Sequence, residues 1–167
     1  VALAMEGQTR PHFFTGVATI VLKLFTHIPA NFAIFGEKDY QQLAVIRQMV
    51  RDLDLNITIL AQPTIRETDG LALSSRNLYL SAADRKLAPL LYVEMQQTAN
   101  QIAKGTPIDA ALTSAKTRLT KAGFGKIDYF DLRHSDSLQP AETLVPNCRI
   151  FAAIWLGTTR LIDNYAL

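Results

Sequence analysis

Phe32-Ala33-Ile34-Phe35 is an apolar run that stops at Gly36, and the chain continues Glu37-Lys38-Asp39-Tyr40-Gln41-Gln42. Those residue types in that order can hold a phosphate group. A short, continuous apolar run suits a buried strand of a parallel sheet. A glycine at its end has no Cβ, so the backbone can turn sharply and an anion can come close. Lys38 brings a mobile positive charge, and a helix opening at Asp39 adds unpaired N–H groups and its dipole. The same residues also have an ordinary explanation. Asp39 followed by Gln42 matches a capping box, which requires no ligand, and most lysines are simply solvated. Gly-x-Lys alone is much weaker than a full phosphate-loop motif.

A second polar segment, Gln62-Pro63-Thr64-Ile65-Arg66-Glu67-Thr68-Asp69-Gly70-Leu71-Ala72-Leu73-Ser74-Ser75-Arg76-Asn77, follows the next apolar run. Long loops of this kind carry function more often than cores do. The hydroxyls of Ser74 and Ser75 can donate to phosphate oxygens, and Arg76 offers a planar fork for bidentate contact. Here too a plain loop is an alternative, with the serines satisfying turn backbone and Arg76 paired to Glu67 or Asp69.

Taken together, Gly36-Glu37-Lys38-Asp39 with Gln41-Gln42, and Leu73-Ser74-Ser75-Arg76-Asn77, closely resemble the pantothenate synthetase family. The resemblance extends upstream through Gly16-Val17-Ala18-Thr19-Ile20-Val21 and Lys23-Leu24-Phe25. Downstream it takes in Ala152-Ala153-Ile154-Trp155-Leu156-Gly157 and Arg160-Leu161-Ile162-Asp163-Asn164. It is tightest before Tyr79 and near the C-terminus.

The resemblance implies an ATP-dependent carbon–nitrogen ligase of the coenzyme A pathway. Such enzymes join pantoate to β-alanine through an enzyme-bound pantoyl adenylate and release pyrophosphate and AMP. Gly36, Glu37, Lys38 and Asp39 would line the ATP site, with Lys38 stabilising the transition state. Leu73, Ser74, Ser75 and Arg76 would close over the triphosphate, with both serines and Arg76 sharing the catalytic role. Ile65 matches a position whose backbone meets the adenine, and Gln42 one that binds pantoate. Mg²⁺ is expected with the nucleotide, but no local group of carboxylates marks a dedicated metal cage. The same resemblance points to a homodimer as one possibility. The lack of a spanning apolar run or charged-then-apolar leader leaves the cytoplasm as the default, with no membrane or nucleic-acid partner expected.

Two features depart from the family pattern. The His-x-Gly-His motif, whose imidazoles contact ATP phosphates, has no counterpart, because His12, His27 and His134 are isolated. By comparison with the family the chain starts in mid-domain at Val1, so it reads as the C-terminal part of a synthetase and as an incomplete enzyme when alone. In addition, Arg10-Pro11-His12-Phe13 stands where family members read Arg-Pro-Gly-His-Phe, and His12 receives no role. Two other readings fit the same residues: a related nucleotidyltransferase acting on another carboxylate, and a non-catalytic nucleotide-binding or structural fragment.

Composition agrees with a folded enzyme domain. The chain has 167 residues, 49% of them hydrophobic and 19% charged, with a formal net charge of +2. That is enough apolar material for a core and too little charge for a disordered tail. The basic residues are dispersed, which gives no sign of a nucleic-acid surface. A single cysteine, Cys148, excludes an internal disulfide, and beside an apolar run it reads as a buried, inert thiol.

The elements that must position the candidate residues follow from periodicity. Helical spacing predicts a helix over Gly16 to Phe25 and another from about Tyr40 to Asp52 with Leu43, Ile46, Val50 and Leu53 on one face. Strands are expected at Asn31 to Phe35 and Ile57 to Leu60. This order predicts a parallel α/β sheet, with Gly36 and the Pro63 to Asn77 loop at the carboxyl ends of the strands, where ligands bind. Together with the resemblance, this order implies that residues 1–77 form the C-terminal part of a Rossmann-like nucleotide-binding domain. Residues 78–167 are expected to form a small α+β C-terminal domain. It would have a helix from Ser81 to about Lys104 bent at Pro89, and a second opening at Pro107 and stopping at Gly123. Strands would follow at Ile127 to Leu132, Cys148 to Leu156 and Thr159 to Asp163. Trp155 is expected to anchor that domain's core and Arg160 to pair with Asp163. Asp128, Asp131 and His134 read as strand-edge or surface groups.

Overall fold

Local patterning sorts the chain into helices and strands close to those expected. The computed structural model describes all 167 residues, which fall into two units, Val1–Thr64 and Ile65–Leu167. The first contains a short helix α1 (Glu6–Thr9), α2 (Phe13–His27), β1 (Phe32–Gly36), α3 (Tyr40–Asp52) and β2 (Thr58–Gln62). β1 and β2 are parallel, with Phe32 opposite Thr58 and Gly36 opposite Gln62. A parallel pair needs a crossover, and α3 provides it. Leu43, Val45, Ile46 and Met49 form the buried side of α3. Leu53, expected on that face, caps the helix and is exposed.

Helix α2 begins earlier than the spacing predicts. It starts behind His12, whose φ of 65° lies in the left-handed region. His12 takes the place of the glycine that follows proline in the family pattern, and it adopts the conformation that glycine reaches most easily. Exposure alternates along both strands. Phe35 meets Phe25 of α2 edge-on with ring centroids 6.4 Å apart, whereas Phe32, Ile34 and Leu60 are exposed. The apolar run expected to be buried on both faces is therefore covered on one face within this unit, because α2 and α3 supply only one helical layer.

The second unit begins with the loop at Ile65, earlier than the boundary expected after Asn77. The physical reason is that the loop's ion pairs run to Asp163 and Arg85, both in this unit. A tight 3-10 turn at Ser75–Tyr79 leads to α4 (Ala82–Leu87), α5 (Leu90–Ala103) and α6 (Ile108–Ala122). The single bent helix expected over Ser81 to Lys104 is two helices, since Pro89 interrupts the ladder and sits at the N-cap of α5. Ser81 caps α4: its Oγ accepts the Asp84 N–H at 3.1 Å and donates to the Asp84 carboxylate at 2.7 Å. Pro107 immediately precedes α6, and Gly123 ends it with φ 112°.

Strands β3 (Ile127–His134), β4 (Cys148–Leu156) and β5 (Thr159–Ala166) form an antiparallel sheet in that order. Phe130, Leu132, Ile150, Ala152, Ile154 and Leu161 pack on Leu91, Met95 and Ile102 of α5 and on Ala115 and Leu119 of α6. Trp155 is not part of this core. Strand alternation commits Ile154 and Leu156 to it, and Trp155 lies on the other face, half-buried and opposite Arg160. Cys148 is buried. No helix is long and apolar enough to cross a membrane.

Candidate functional site

Gly36 closes β1, and Glu37–Asp39 form one turn of 3-10 helix before α3 opens at Tyr40. Lys38 is thus carried on a tight turn between a strand end and a helix start, and it is half-buried. The capping box that offered the ordinary explanation does not form: the Asp39 side chain makes no capping hydrogen bond to α3. Its φ of −94° and ψ of 56° lie outside the extended region from which a cap side chain reaches back. Gly36 has φ −71° and ψ 137°, which any residue adopts. A Cβ built on it would meet nothing within 4 Å. The sharp turn expected to require glycine is therefore made without a left-handed residue.

The adjacent glutamines differ sharply. Gln41 is buried, its Oε1 accepts the Glu6 N–H at 3.1 Å, and its Nε2 donates to the carbonyls of Val1 at 2.8 Å and Ala4 at 2.7 Å. It ties the residues around α1 to α3. Gln42 is half-buried and makes no side-chain hydrogen bond to protein. One glutamine is committed to the fold and its neighbour is chemically available, a distinction with no local signal in the sequence.

The other candidate residues lie in the second unit. Arg66 and Ala72 form an antiparallel bridge, and the Leu73 N–H donates to the Ile65 carbonyl at 2.9 Å. Ile65 and Leu73 are thereby side by side at the base of a small hairpin, both exposed. Ser74 caps the 3-10 turn, accepting the Arg76 N–H on Oγ at 3.2 Å. Ser75 and Arg76 are exposed, and the Arg76 guanidinium has no protein partner. The ordinary-loop alternative is therefore met only in part. Ser74 satisfies turn backbone, but Glu67 and Asp69 pair with Arg85 of α4 at 2.7 and 2.6 Å.

Two ion-pair systems fix the hairpin. Arg66 donates to both oxygens of Asp163 at 2.6 and 3.0 Å and to the Gly70 carbonyl at 3.1 Å. Its guanidinium lies 3.5 Å from the centre of the Tyr92 ring. Asp163 therefore pairs with Arg66, and the expected partner Arg160 instead meets Asp128 at 2.6 Å. In the second system the Arg85 hydrogen bond holds the Glu67 carboxyl below the usual carboxylate range, helped by Asn77. The same guanidinium, through its hydrogen bond, lowers Asp69. Depressed carboxyl values mean that this contribution is present at neutral pH and is lost on acidification through those values.

Lys38 and Gln42 thus share one unit, and Ile65 with Leu73–Arg76 shares the other. No group of three or more His, Cys, Asp and Glu side chains comes together that could hold a metal ion. The chemistry available is that of cations, hydroxyls and backbone donors suited to phosphate oxygens.

Residues 1–166 match the family model described as pantoate-beta-alanine ligase. A pantothenate synthetase of Hahella chejuensis is 56% identical over 162 residues, which cover 96% of this chain and 57% of that protein. One from Caulobacter vibrioides is 50% identical over 170 residues, covering 100% of this chain and 60% of the relative. The chain therefore spans less than two thirds of the length of these relatives. The crystal structure of pantothenate synthetase from Thermus thermophilus superposes with a TM-score of 0.92 at 42% identity, covering 98% of this chain and 59% of that one. A Francisella tularensis pantoate-beta-alanine ligase, complexed with beta-gamma ATP and beta-alanine, gives a TM-score of 0.75 at 34% identity, over 99% of this chain and 54% of its own.

Proposed function

The chain belongs to the pantoate-beta-alanine ligase family, and from that membership we propose that it serves the ATP-dependent joining of pantoate to β-alanine. The pantoate carboxylate attacks the α-phosphorus of ATP, breaking the bond to pyrophosphate and giving pantoyl adenylate. The β-alanine amine then attacks the acyl carbon, AMP leaves, and the amide of pantothenate remains. Catalysis of this kind is chiefly positioning and neutralisation of developing phosphate charge. The family match over residues 1–166 carries the reading, and the Francisella relative's complex with beta-gamma ATP and beta-alanine supports it.

Within that reading Lys38 neutralises charge on the phosphates, with Gly36, Glu37 and Asp39 lining the nucleotide. Leu73, Ser74, Ser75 and Arg76 close over the triphosphate, the backbone of Ile65 meets the adenine, and Gln42 binds pantoate. The uncommitted side chains of Gln42 and Arg76 suit these roles. Mg²⁺ would arrive with the nucleotide, whose phosphates supply oxygen ligands to it. A cytoplasmic homodimer is the setting that family membership suggests.

The test is AMP release from ATP, pantoate and β-alanine by this chain and by a protein of the relatives' full length. Release that needs both substrates is the expected result. Release with another carboxylic acid in place of pantoate would favour a related nucleotidyltransferase, and no release from either protein would refute the proposal. Gly36 provides a sharper probe. Because a Cβ there meets no protein atom, Gly36→Ala is expected to change unfolding free energy by less than about 0.5 kcal/mol. ATP affinity should nevertheless fall several-fold if nucleotide fills that space, and isothermal titration beside urea unfolding reads both quantities.

A further inference from the structure

We propose that Arg85 is a positioning residue for the loop, holding Glu67 and Asp69 on one guanidinium so that neither carboxylate competes for Arg76. The inference rests on the reading of Ser74–Arg76 as a contact for the triphosphate. A loop that carries two carboxylates and one anion-binding arginine is at odds with itself, because the carboxylates repel the ligand and offer Arg76 an intramolecular partner. The structure resolves the conflict from outside the loop. Arg85 stands on α4, whose start is fixed by the Ser81 cap. Its two terminal nitrogens reach Asp69 Oδ2 at 2.6 Å and Glu67 Oε2 at 2.7 Å. The other Glu67 oxygen accepts from Asn77 Nδ2 at 2.7 Å, and Asn77 also donates to the Ala72 carbonyl at 3.1 Å. Glu67 is thus occupied on both oxygens, and Asn77, next to Arg76 in the chain, is turned to the same purpose. The Arg76 guanidinium meets no protein group, and its backbone N–H donates to Ser74 Oγ.

The depressed carboxyl values of Glu67 and Asp69, set first by Arg85, agree with a fully charged cluster at neutral pH. Arg85, Glu67 and Asp69 are all about a third exposed at their side chains. Pairs of that kind add little to stability, so the role of Arg85 should be visible in anion affinity and not in unfolding.

The experiment is calorimetric titration of the 167-residue chain with inorganic tripolyphosphate, for wild type, Arg76→Ala, Arg85→Gln, and Arg85→Gln combined with Glu67→Gln and Asp69→Asn. Arg85→Gln is expected to weaken binding about fivefold, the size of a loss near 1 kcal/mol. The combined variant should recover affinity to within about twofold of wild type, since only the competing charges mattered. Arg85→Gln binding as wild type does, or a combined variant as weak as Arg85→Gln, would overturn the inference and make Arg85 a structural staple. Wild type failing to bind, or Arg76→Ala binding equally well, would instead sink the reading of the loop and the inference with it.

Discussion

Lys38→Ala is expected to lower kcat/KM for pantoate-dependent AMP formation by about 10²–10³-fold, the loss typical of deleting one preorganised donor to developing charge. The turn that carries Lys38 is built by backbone, between Gly36 and α3, and the residue is half-buried at a strand end. Its removal opens no cavity in the α3 core of Leu43, Ile46 and Met49. Unfolding free energy should therefore move by no more than about 0.5 kcal/mol. Lys38→Arg keeps the charge but replaces a point cation by a planar fork on a different stem, so partial activity is expected. Steady-state kinetics in the protein that turns over, beside thermal unfolding, checks both. An unaltered kcat/KM would remove Lys38 from the mechanism, and a loss that tracked unfolding would make its role structural.

Asp163→Ala is expected to cost about 3 kcal/mol, the lower end of the range for breaking one side of a buried ion pair. The Asp163 side chain is 4% exposed and that of Arg66 18%. Arg66 holds together β5 through Asp163, α5 through the Tyr92 ring and the hairpin through Gly70. Alanine leaves a guanidinium that has lost two of its charged bonds and is only partly reachable by water. Asp163→Asn retains an acceptor and should cost less, about 1–2 kcal/mol. Urea unfolding should show a lower midpoint with an unchanged slope. Amide exchange in residues 65–73 should also rise, because the hairpin loses its tie to the sheet. A change below about 0.5 kcal/mol for Asp163→Ala would mean that Arg66 is held by Tyr92 and Gly70 alone.

These two residues mark the limit of what sequence reading can reach. Lys38 is visible because its neighbours are local: a strand, a glycine and a helix in immediate succession give its position without any distant contact. The bounds of α3 and β4 and the starts of β3 and β5 are legible for the same reason, since side-chain periodicity is a property of one element. By contrast, β3 and β5 run on to His134 and Ala166 through their pairing with β4. The partner of Asp163 is not legible. Arg160 is nearby in sequence, but Arg66, 97 residues away, is the group placed against it. Gln41 and Gln42 have the same chemistry, and only burial against Val1 and Ala4 separates them. Trp155 misleads because size suggests a core anchor, while the alternation of β4 has already assigned its neighbours to the interior. The domain boundary moves for an electrostatic reason, as the loop's charges find their partners in the following helices and strands. The proposed roles of Lys38, Gln42, Ile65, Leu73, Ser74, Ser75 and Arg76 depend on groups that the substrates bring, which neither periodicity nor packing encodes.

The connection between β4 and β5 has a kinetic consequence. Leu156 faces Thr159 in the register, so only Gly157 and Thr158 separate two long strands. Hairpins of this kind close in about 1–10 μs, and β3 can then add to an existing edge. By contrast, β1 and β2 cannot meet until α3 has formed as the crossover between them, and parallel pairing of that type is intrinsically slow. Pulsed hydrogen exchange during refolding should find the β4 and β5 amides protected before those of β1 and β2; the opposite order would contradict this. On a ribosome β1 and β2 emerge well ahead of β4 and β5, so the segment released later is the one equipped to settle first. In that interval Leu43, Ile46 and Met49, buried in the folded chain, stand without their partners, so the earlier stretch is the one expected to need protection from aggregation.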